Sequence, residues 1–380
     1  MGGNVVKPEC VTVLGDKNVR SGGTVTLRCE ANTEYVTATW EKDGSKLLYV
    51  EGKHKVKPLG KTFTLEISNA DETDEGKYTL TLSNDKGSAS CSAFIRVEMK
   101  KWREVRWQSQ AEMLNNIKTF NICNEVEELH FLLYGPVGAG KSSTINTIKS
   151  IFEGRLFVNC QAAAGSTTSH TLSFESFRLE DEEGSFPFAF YDVMGAEAEA
   201  KAGVNTQDII SALKGHMKEG YKFNSNGPLS EKDGSFYNRN PSLGDQMHCL
   251  VNVIAADKIS LMNNEFIKKW KTIRETATSM GIPQVVFMTR ADCECKITKE
   301  NLQNIYKSKK IRDKIIQCSN LLGVPVNLVF PVVNYHQETD VNTDINCLML
   351  DAFKNIVFWA NDYVKKCSNK QNSHQQPKIE

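Results

Sequence analysis

Hydrophobic and polar positions alternate in short runs through the first hundred residues. Turn-forming pairs such as Gly22-Gly23 and Asp43-Gly44 separate these runs. Because successive side chains of a strand point to opposite faces, the two-residue period predicts half-buried strands joined by tight turns. The rhythm is typical of an antiparallel β-sandwich. The clearest runs are TVTLRC at Thr24 to Cys29, ATWEK at Ala38 to Lys42, FTLEI at Phe63 to Ile67 and GKYTLTLS at Gly76 to Ser83.

From Leu129 onward, apolar runs alternate with longer segments of helical period. This alternation predicts a mainly parallel sheet with crossover helices, a doubly wound α/β fold. The candidate helices are 141–152, 206–220, 262–280, 298–322 and 343–366. The candidate strands are Leu129 to Tyr134, Thr171 to Leu179, Phe186 to Tyr191, His248 to Ala255, Gln284 to Met288 and Asn327 to Val332.

The chain is therefore predicted to be multidomain. A β-sandwich over 1–98 is followed by a connecting segment over 99–128, in which apolar residues at helical spacing from Trp102 to Ile117 predict a helix. The doubly wound domain covers 129–368, and a polar tail over 369–380 is expected to be disordered.

The segment between the first apolar strand and the first candidate helix reads GPVGAGKS. It matches G-x-x-x-x-G-K-[ST], in which glycines let backbone N–H groups turn toward phosphate oxygens beside a helix N-terminus. Lys141 would then contact the β and γ phosphates, and the Ser142 hydroxyl would bind Mg²⁺. The alternative is an ordinary glycine-rich turn. The predicted nucleotide-binding residues here are Gly135, Gly138, Ala139, Gly140, Lys141, Ser142 and Ser143.

The third candidate strand runs into D-x-x-G, with Asp192 and Gly195. We expect Asp192 to hold Mg²⁺ through a water molecule and the Gly195 amide to sense the γ phosphate. The segment GSTTSH before the second strand offers Thr167 and Thr168 as a further metal ligand, and Thr168 is preferred. A polar loop with neither threonine on the metal remains an equal alternative.

The fifth strand ends in MTRAD, whose last four residues resemble the N/T-K-x-D guanine box of GTPases, with Thr289 first and Arg290 in the lysine position. Asp292 would accept hydrogen bonds from the guanine ring N–H and the exocyclic amine, a pair that adenine lacks. Asn334, after the sixth strand, lies where a loop near the base belongs. The expected ligands are GTP or GDP with Mg²⁺.

Composition excludes several partners. Lys+Arg and Asp+Glu both total 46, so no overall field favours nucleic acid. No apolar stretch approaches the roughly 20 residues of a membrane span, and the N-terminus has no hydrophobic signal core. We therefore expect a cytoplasmic protein without a transmembrane segment. The eleven cysteines lack metal-site spacing and favour reduced thiols.

The first hundred residues carry Cys29 and Trp40, followed by D-x-G-x-Y ending at Tyr78. Over residues 5–98 this order resembles an immunoglobulin domain of the intermediate type. Such a domain implies binding of a protein partner, unidentified here, and the alternative is that it only caps its neighbour.

The family's second core cysteine would lie two residues after Tyr78, where this chain has Leu80. The usual disulfide cannot form. Cys91 could pair with Cys29 or Cys10 instead, but the resemblance implies that the strand of Cys91 does not face Cys29.

Taken together, GPVGAGKSS, FYDVMG, MTRAD and FPVVNYHQE resemble the interferon-induced protein 44 family of GTPase-like proteins. The resemblance covers roughly 100–367, including a long insert at 196–246. It implies guanine-nucleotide binding, residence in the cytoplasm and a role in the innate antiviral interferon response.

Catalysis is the least defined expectation. Many GTPases place glutamine directly after D-x-x-G to orient the attacking water, whereas this chain has Ala196 followed by Glu197. Hydrolysis is then slow, or the missing group is supplied by Glu197, a switch residue, a partner or Arg239 of the insert. Three functions remain open. They are a guanine-nucleotide switch that hydrolyses GTP slowly, an interaction scaffold that binds GTP but scarcely hydrolyses it, and an ATP-using enzyme, which Asp292 disfavours.

Overall fold

The computed structural model describes residues 5–157, 173–193, 204–224 and 227–375. The chain divides into two compact units. The first comprises Met1–Arg103 with Tyr306–Lys309, and the second comprises Glu104–Ile305 with Lys310–Glu380. Within the described residues, no helix is both long enough and apolar enough to span a bilayer.

The first unit is a sandwich of two sheets, as the alternating pattern predicts. Inward-facing residues of both sheets form its core, with Trp40 and Leu65 almost fully buried. One sheet has the order β1 (Cys10–Thr12), β3 (Val25–Ala31), β7 (Thr62–Ile67) and β6 (His54–Leu59). The other has the order β2 (Lys17–Arg20), β9 (Gly87–Glu98), β8 (Gly76–Asn84), β4 (Thr37–Lys42) and β5 (Ser45–Lys46).

Tyr78 forms the corner contact expected of an immunoglobulin sandwich. Its hydroxyl donates a hydrogen bond of 2.9 Å to the Asp74 carbonyl oxygen and is buried with the core. Burial raises the pKa of Tyr78 above its ordinary range. The phenol therefore serves as a neutral donor that fixes the start of β8.

The prediction that Cys91 does not face Cys29 is wrong. Cys91 lies directly across from Leu80 in the antiparallel β8–β9 pair, and residues paired in this way point to the same face. Leu80 is fully buried, so Cys91 also points into the core. Its Sγ lies 3.6 Å from the Sγ of Cys29 on the opposite sheet.

The second unit contains a six-stranded sheet whose order is β11-β12-β10-β13-β14-β15. All neighbouring pairs are parallel except the edge pair of β11 with β12, which is antiparallel. This arrangement confirms the predicted mixed α/β architecture with a parallel sheet. The strands are β10 (Leu129–Tyr134), β11 (Glu175–Asp181), β12 (Gly184–Asp192), β13 (Cys249–Ala255), β14 (Gln284–Thr289) and β15 (Val329–Pro331).

Helices cover both faces of this sheet. Phe131 of β10 packs against Phe353 on one side, and Tyr134 stacks on Phe266 on the other. Every residue of β10 and β13 is buried, as a parallel sheet covered on both faces requires. The helices are α1 (Gln110–Lys118), α2 (Lys141–Glu153), α3 (Thr206–Leu213), α4 (Asn264–Met280), α5 (Ala291–Glu294), α6 (Lys296–Glu300), α7 (Lys309–Leu322) and α8 (Thr343–Gln375).

Several predicted helix bounds are wrong. The helix of 206–220 ends at Leu213, because Gly215 turns the chain with a φ of 80°. The helix of 298–322 is interrupted at Asn301, whose backbone is extended and whose side chain caps a short 3₁₀ turn. In the connecting segment, helix begins only at Gln110, so Trp102 precedes it. The last helix runs past its predicted end at 366, to Gln375.

The sheet order places a crevice at the carboxyl end of β10. The chain leaves β10 for strands on one side of it and later returns to β13 on its other side. Ligands of open α/β sheets bind at such a switch point, outside the carboxyl ends of the strands. The loop Gly135 to Gly140 begins at this point.

A buried carboxyl group on α3 makes the stability of the second unit depend on pH. Asp208 is 1% exposed and accepts a hydrogen bond from the Leu229 amide. Its Oδ2 has no hydrogen-bond partner among the described residues. Burial, with Asp233 adding to the effect, raises the pKa of Asp208 to about 6. The folded protein therefore holds a proton there that the unfolded chain has already released.

We expect Asp208→Asn to flatten the pH dependence of unfolding. In the wild type, the contribution of Asp208 to the free energy of unfolding is fully present below about pH 4. It is lost as the pH rises through about 6, which lowers the free energy of unfolding by about 3 kcal/mol in total. The amide keeps the acceptor for Leu229 and carries no charge. Chemical denaturation of both proteins from pH 4 to 8 measures the free energy of unfolding at each pH. If this free energy changes with pH equally in the two proteins, the expectation is wrong.

Candidate nucleotide site

The loop after β10 has glycine where no side chain fits. A Cβ on Gly135 would lie 2.1 Å from the Val253 carbonyl oxygen. Gly138 and Gly140 have φ values of 72° and 94°, in the left-handed region that favours glycine. Ala139, between them, is buried. The loop therefore turns tightly and leads directly into the N-terminus of α2.

Lys141 is the first residue of α2 and is 7% exposed. Its Nζ donates hydrogen bonds to the carbonyl oxygens of Gly135, at 3.1 Å, and Pro136, at 3.2 Å. Among the described residues, no carboxylate oxygen lies within 4.0 Å of it. Burial lowers the pKa of Lys141, and Asp192 partly opposes that effect. A buried ammonium group held only by carbonyl oxygens gains from an anion, so phosphate oxygens fit this position.

Ser142 and Asp192 join the start of α2 to the end of β12 at this edge of the sheet. Parallel pairing sets Asp192, the last residue of β12, beside Leu133 of β10. The Ser142 Oγ donates a 2.6 Å hydrogen bond to the Asp192 Oδ2. One hydroxyl and one carboxylate, both hard oxygen donors, are the ligands that Mg²⁺ prefers beside phosphates. Thr167, Thr168 and Gly195 lie outside the described residues.

The TRAD segment is tied to the phosphate loop. Thr289 is fully buried, and its Oγ1 donates a 2.6 Å hydrogen bond to the Ala139 carbonyl oxygen. Arg290 has a φ of 57°, and its guanidinium is 3.1 Å from the Asp257 carboxylate. Asp292 is half-buried in the first turn of α5. The structure thus brings the predicted base-binding carboxylate and the phosphate loop to the same sheet edge.

Asn334 binds the start of α2 through its side chain. Its Nδ2 donates to the Gly140 carbonyl oxygen at 3.2 Å and to the Thr144 Oγ1 at 3.1 Å. The backbone amide of Tyr335 donates to the Thr147 Oγ1 at 3.1 Å. These bonds fix the loop after β15 against the phosphate loop, so Asn334 holds that loop in place.

Sequence reasoning missed Thr144, Thr147 and Asp257. The two threonines are buried on α2, in the run STINT, where a core-facing helix would ordinarily carry only apolar residues. Polar residues on a buried helix face signal partners from another segment. Asp257 follows β13 at the same sheet edge, but nothing in its local sequence indicates the pairing with Arg290.

Ser143 and Arg239 are the two remaining candidates. Ser143 is half-buried in the first turn of α2. Arg239 is exposed and 3.9 Å from Glu231 within the insert. That region is ordered around His216, which stacks on Tyr237 and whose backbone oxygen accepts a hydrogen bond from Asn238.

Comparison with known proteins finds a domain family and several relatives. Residues 8–97 match the Immunoglobulin I-set domain family. The chain is 31% identical over 243 residues to interferon-induced protein 44-like of Homo sapiens, covering 63% of this chain and 53% of that protein. It is 29% identical over 282 residues to interferon-induced protein 44 of Mus musculus, covering 72% of this chain and 65% of the relative. Among solved structures, titin domain M7 is 36% identical to this chain, with a TM-score of 0.24. The match covers 26% of this chain and 99% of the titin domain.

The chain spans between half and two thirds of the length of these curated relatives. The sequence-based recognition is confirmed in both parts. The chain is similar to interferon-induced protein 44 and its 44-like relative over 63–72% of its length, and it carries an immunoglobulin I-set domain at residues 8–97.

Proposed function

We propose that the second unit is a P-loop GTPase-like domain that binds GTP or GDP with Mg²⁺. The hydrogen bond of 2.6 Å between the Ser142 Oγ and the Asp192 Oδ2 carries this proposal. It pairs a hydroxyl in the first turn of α2 with a strand-end carboxylate beside the buried ammonium of Lys141. A magnesium-bound nucleotide uses all three groups.

Each residue has a defined role in this proposal. The Lys141 Nζ would exchange its carbonyl contacts for β and γ phosphate oxygens, and the amides of Gly138 to Ser143 would face the phosphates. Ser142 would bind Mg²⁺ directly and Asp192 through water, with Thr168 and Gly195 completing the γ phosphate side. Bound Mg²⁺ neutralises phosphate charge.

The guanine base would be selected by Asp292. Its half-buried carboxylate supplies two acceptor oxygens for the ring N–H and the exocyclic amine. Thr289 ties this segment to the phosphate loop through Ala139, and the ion pair of Arg290 with Asp257 anchors it to the end of β13. These fixed contacts set the distance between the base site and the phosphate site.

The relatives extend the proposal to the whole protein. They are named as interferon-induced, so we propose that this chain acts in the innate antiviral response, in the cytoplasm. The I-set domain is of a kind that binds proteins, and in this role it would contact a protein partner. Bound nucleotide would then control that contact.

We expect intrinsic GTP turnover to be slow. Ala196 stands where many GTPases have the glutamine that orients water, and alanine has no group to do so. Phosphate release from purified protein saturated with GTP and Mg²⁺ measures the rate. A rate of about 1 per second or faster would contradict this expectation.

The same assay separates the switch from the alternative, a scaffold that binds GTP but scarcely hydrolyses it. A switch accumulates GDP over a single turnover, and its rate rises when a partner or a supplied glutamine completes the site. We expect Ala196→Gln to raise the rate if the domain retains the remaining catalytic groups. A scaffold keeps bound GTP intact in both proteins.

A further inference from the structure

Three cysteines meet inside the I-set domain. They are Cys10 of β1, Cys29 of β3 and Cys91 of β9, called here the three-cysteine cluster. Their sulfur atoms all lie within 4.8 Å of one another, and those of Cys29 and Cys91 are 3.6 Å apart. The cluster therefore links the edge strand of one sheet, a central strand of that sheet and a strand of the opposite sheet.

The spacing of these sulfurs has the size of a metal site. A thiolate sulfur binds zinc at about 2.3 Å, which places three ligand sulfurs about 3.8 to 4.0 Å apart. The one measured separation, 3.6 Å between Cys29 and Cys91, and the upper limit of 4.8 Å for all three are close to this range. A disulfide needs only two sulfurs, so it gives no reason for Cys10 to approach both others.

Burial and access also suit a metal ion. Cys29 and Cys91 are buried, whereas Cys10 is half-buried. Cys10 lies on an edge strand of three residues, whose pairing with β3 shifts register between Cys10 and Thr12. A short, irregular edge strand opens at low cost, so an ion can reach the buried sulfurs from this side.

We propose that the three-cysteine cluster is a three-thiolate site for a soft, thiophilic metal ion, with Zn²⁺ as the best fit. Soft sulfur ligands select Zn²⁺ and Cu⁺ over Mg²⁺ and Ca²⁺. Three thiolates with Zn²⁺ leave one net negative charge in the core, and with Cu⁺ they leave two, so desolvation favours zinc. A water on the half-exposed Cys10 side supplies the fourth ligand that zinc takes.

The binding step is balanced without an oxidant. Each thiol releases its proton to water as its sulfur binds the ion, so three protons leave for each metal ion bound. Burial raises the pKa of Cys29 and of Cys10, with the nearby Cys91 adding to both effects. The metal-free thiols of Cys10 and Cys29 are therefore protonated. The bound ion takes the cross-linking place that Leu80 denies to a disulfide of the usual kind.

The test is zinc titration of the full chain, reduced and freed of metal, without oxygen and with excess Mg²⁺ to cover the proposed nucleotide site. A chromophoric chelator reports affinity, and native mass spectrometry reports stoichiometry. A parallel titration uses Cu⁺. We expect one ion per chain and a higher melting temperature of the I-set unfolding transition.

Cys10→Ala is the decisive variant because Cys10 is half-exposed at an edge and the core tolerates its loss. We expect it to lower the affinity at least about 100-fold, since loss of a direct ligand exceeds that of an outer-shell partner. Cys29→Ala and Cys91→Ala should do the same. Matched controls are Cys318→Ala, a buried thiol of α7, and Cys293→Ala, an exposed thiol.

The site is supported if the wild type and both controls bind either ion and folded Cys10→Ala loses this binding. Circular dichroism and the metal-free melting temperature establish that the variant is folded. The proposal is overturned if neither ion binds the reduced wild type, or if Cys10→Ala binds as the wild type does.

Discussion

Lys141→Ala is expected to abolish tight nucleotide binding and to leave the fold intact. The Nζ of Lys141 contacts only carbonyl oxygens of the loop, so its removal breaks no buried ion pair of the described residues. Its positive charge would be the principal direct contact to the β and γ phosphates. We expect the affinity for GTP with Mg²⁺ to fall at least about 100-fold, or roughly 3 kcal/mol.

The matched control is Lys149→Ala. Lys149 is equally buried on the same helix, but its Nζ donates to the Arg178 carbonyl oxygen, away from the loop. We expect this variant to lose stability and to keep its nucleotide affinity. Calorimetric titration measures binding, and thermal unfolding without nucleotide measures the fold. If Lys141→Ala binds GTP as the wild type does, the loop is not a phosphate site.

The local part of the candidate site is predictable from sequence because short-range geometry defines it. The bounds of β10 and the start of α2 at Lys141 agree with the prediction. Gly135 and Gly140 occur where a close approach and a positive φ require glycine. A motif of this kind carries its own backbone constraints, so it is recognisable before any tertiary contact is known.

Contacts between distant segments are less predictable because strand register decides them. Cys91, Ala93, Ile95 and Val97 alternate with exposed residues along β9, so the two-residue period already indicates that Cys91 points inward. Which residue lies across the core from it depends on the packing of two sheets. The approach of Cys91 to Cys29 therefore follows from the fold and not from either strand alone.

The predicted helix ends are wrong for a similar reason. The apolar period continues beyond Leu213, but Gly215 packs so closely on Asp245 that a Cβ there would lie 2.8 Å from its backbone. The turn is set by this tertiary contact. Likewise, the threonines at 144 and 147 acquire a purpose only when the loop of Asn334 and Tyr335 packs against α2.

Base selection is the second large expected effect, and Asp292→Asn tests it. The wild-type carboxylate presents two acceptors to the guanine ring N–H and amine, so the wild type should prefer GTP to ATP. In the variant, the new amide N–H₂ faces the guanine amine, donor against donor. We expect GTP binding to weaken by about 2 to 4 kcal/mol, the scale of a charge-assisted hydrogen bond lost and a donor left unpaired.

Xanthine should fit the variant better than guanine does, because it carries a carbonyl where guanine has its amine. The xanthine carbonyl accepts a hydrogen bond from the asparagine amide, and the ring N–H donates one to the asparagine oxygen. Asp292→Asn should therefore gain affinity for XTP relative to GTP. Asp257→Asn is the control because it removes the ion pair with Arg290 and leaves Asp292 in place. It should weaken the binding of GTP and of XTP without changing which of them binds more tightly. Competition titration of GTP, ATP and XTP against the three proteins gives the ranking. Equal binding of ATP and GTP by the wild type, or an unchanged ranking in Asp292→Asn, would exclude Asp292 from the base site and remove the basis for guanine specificity.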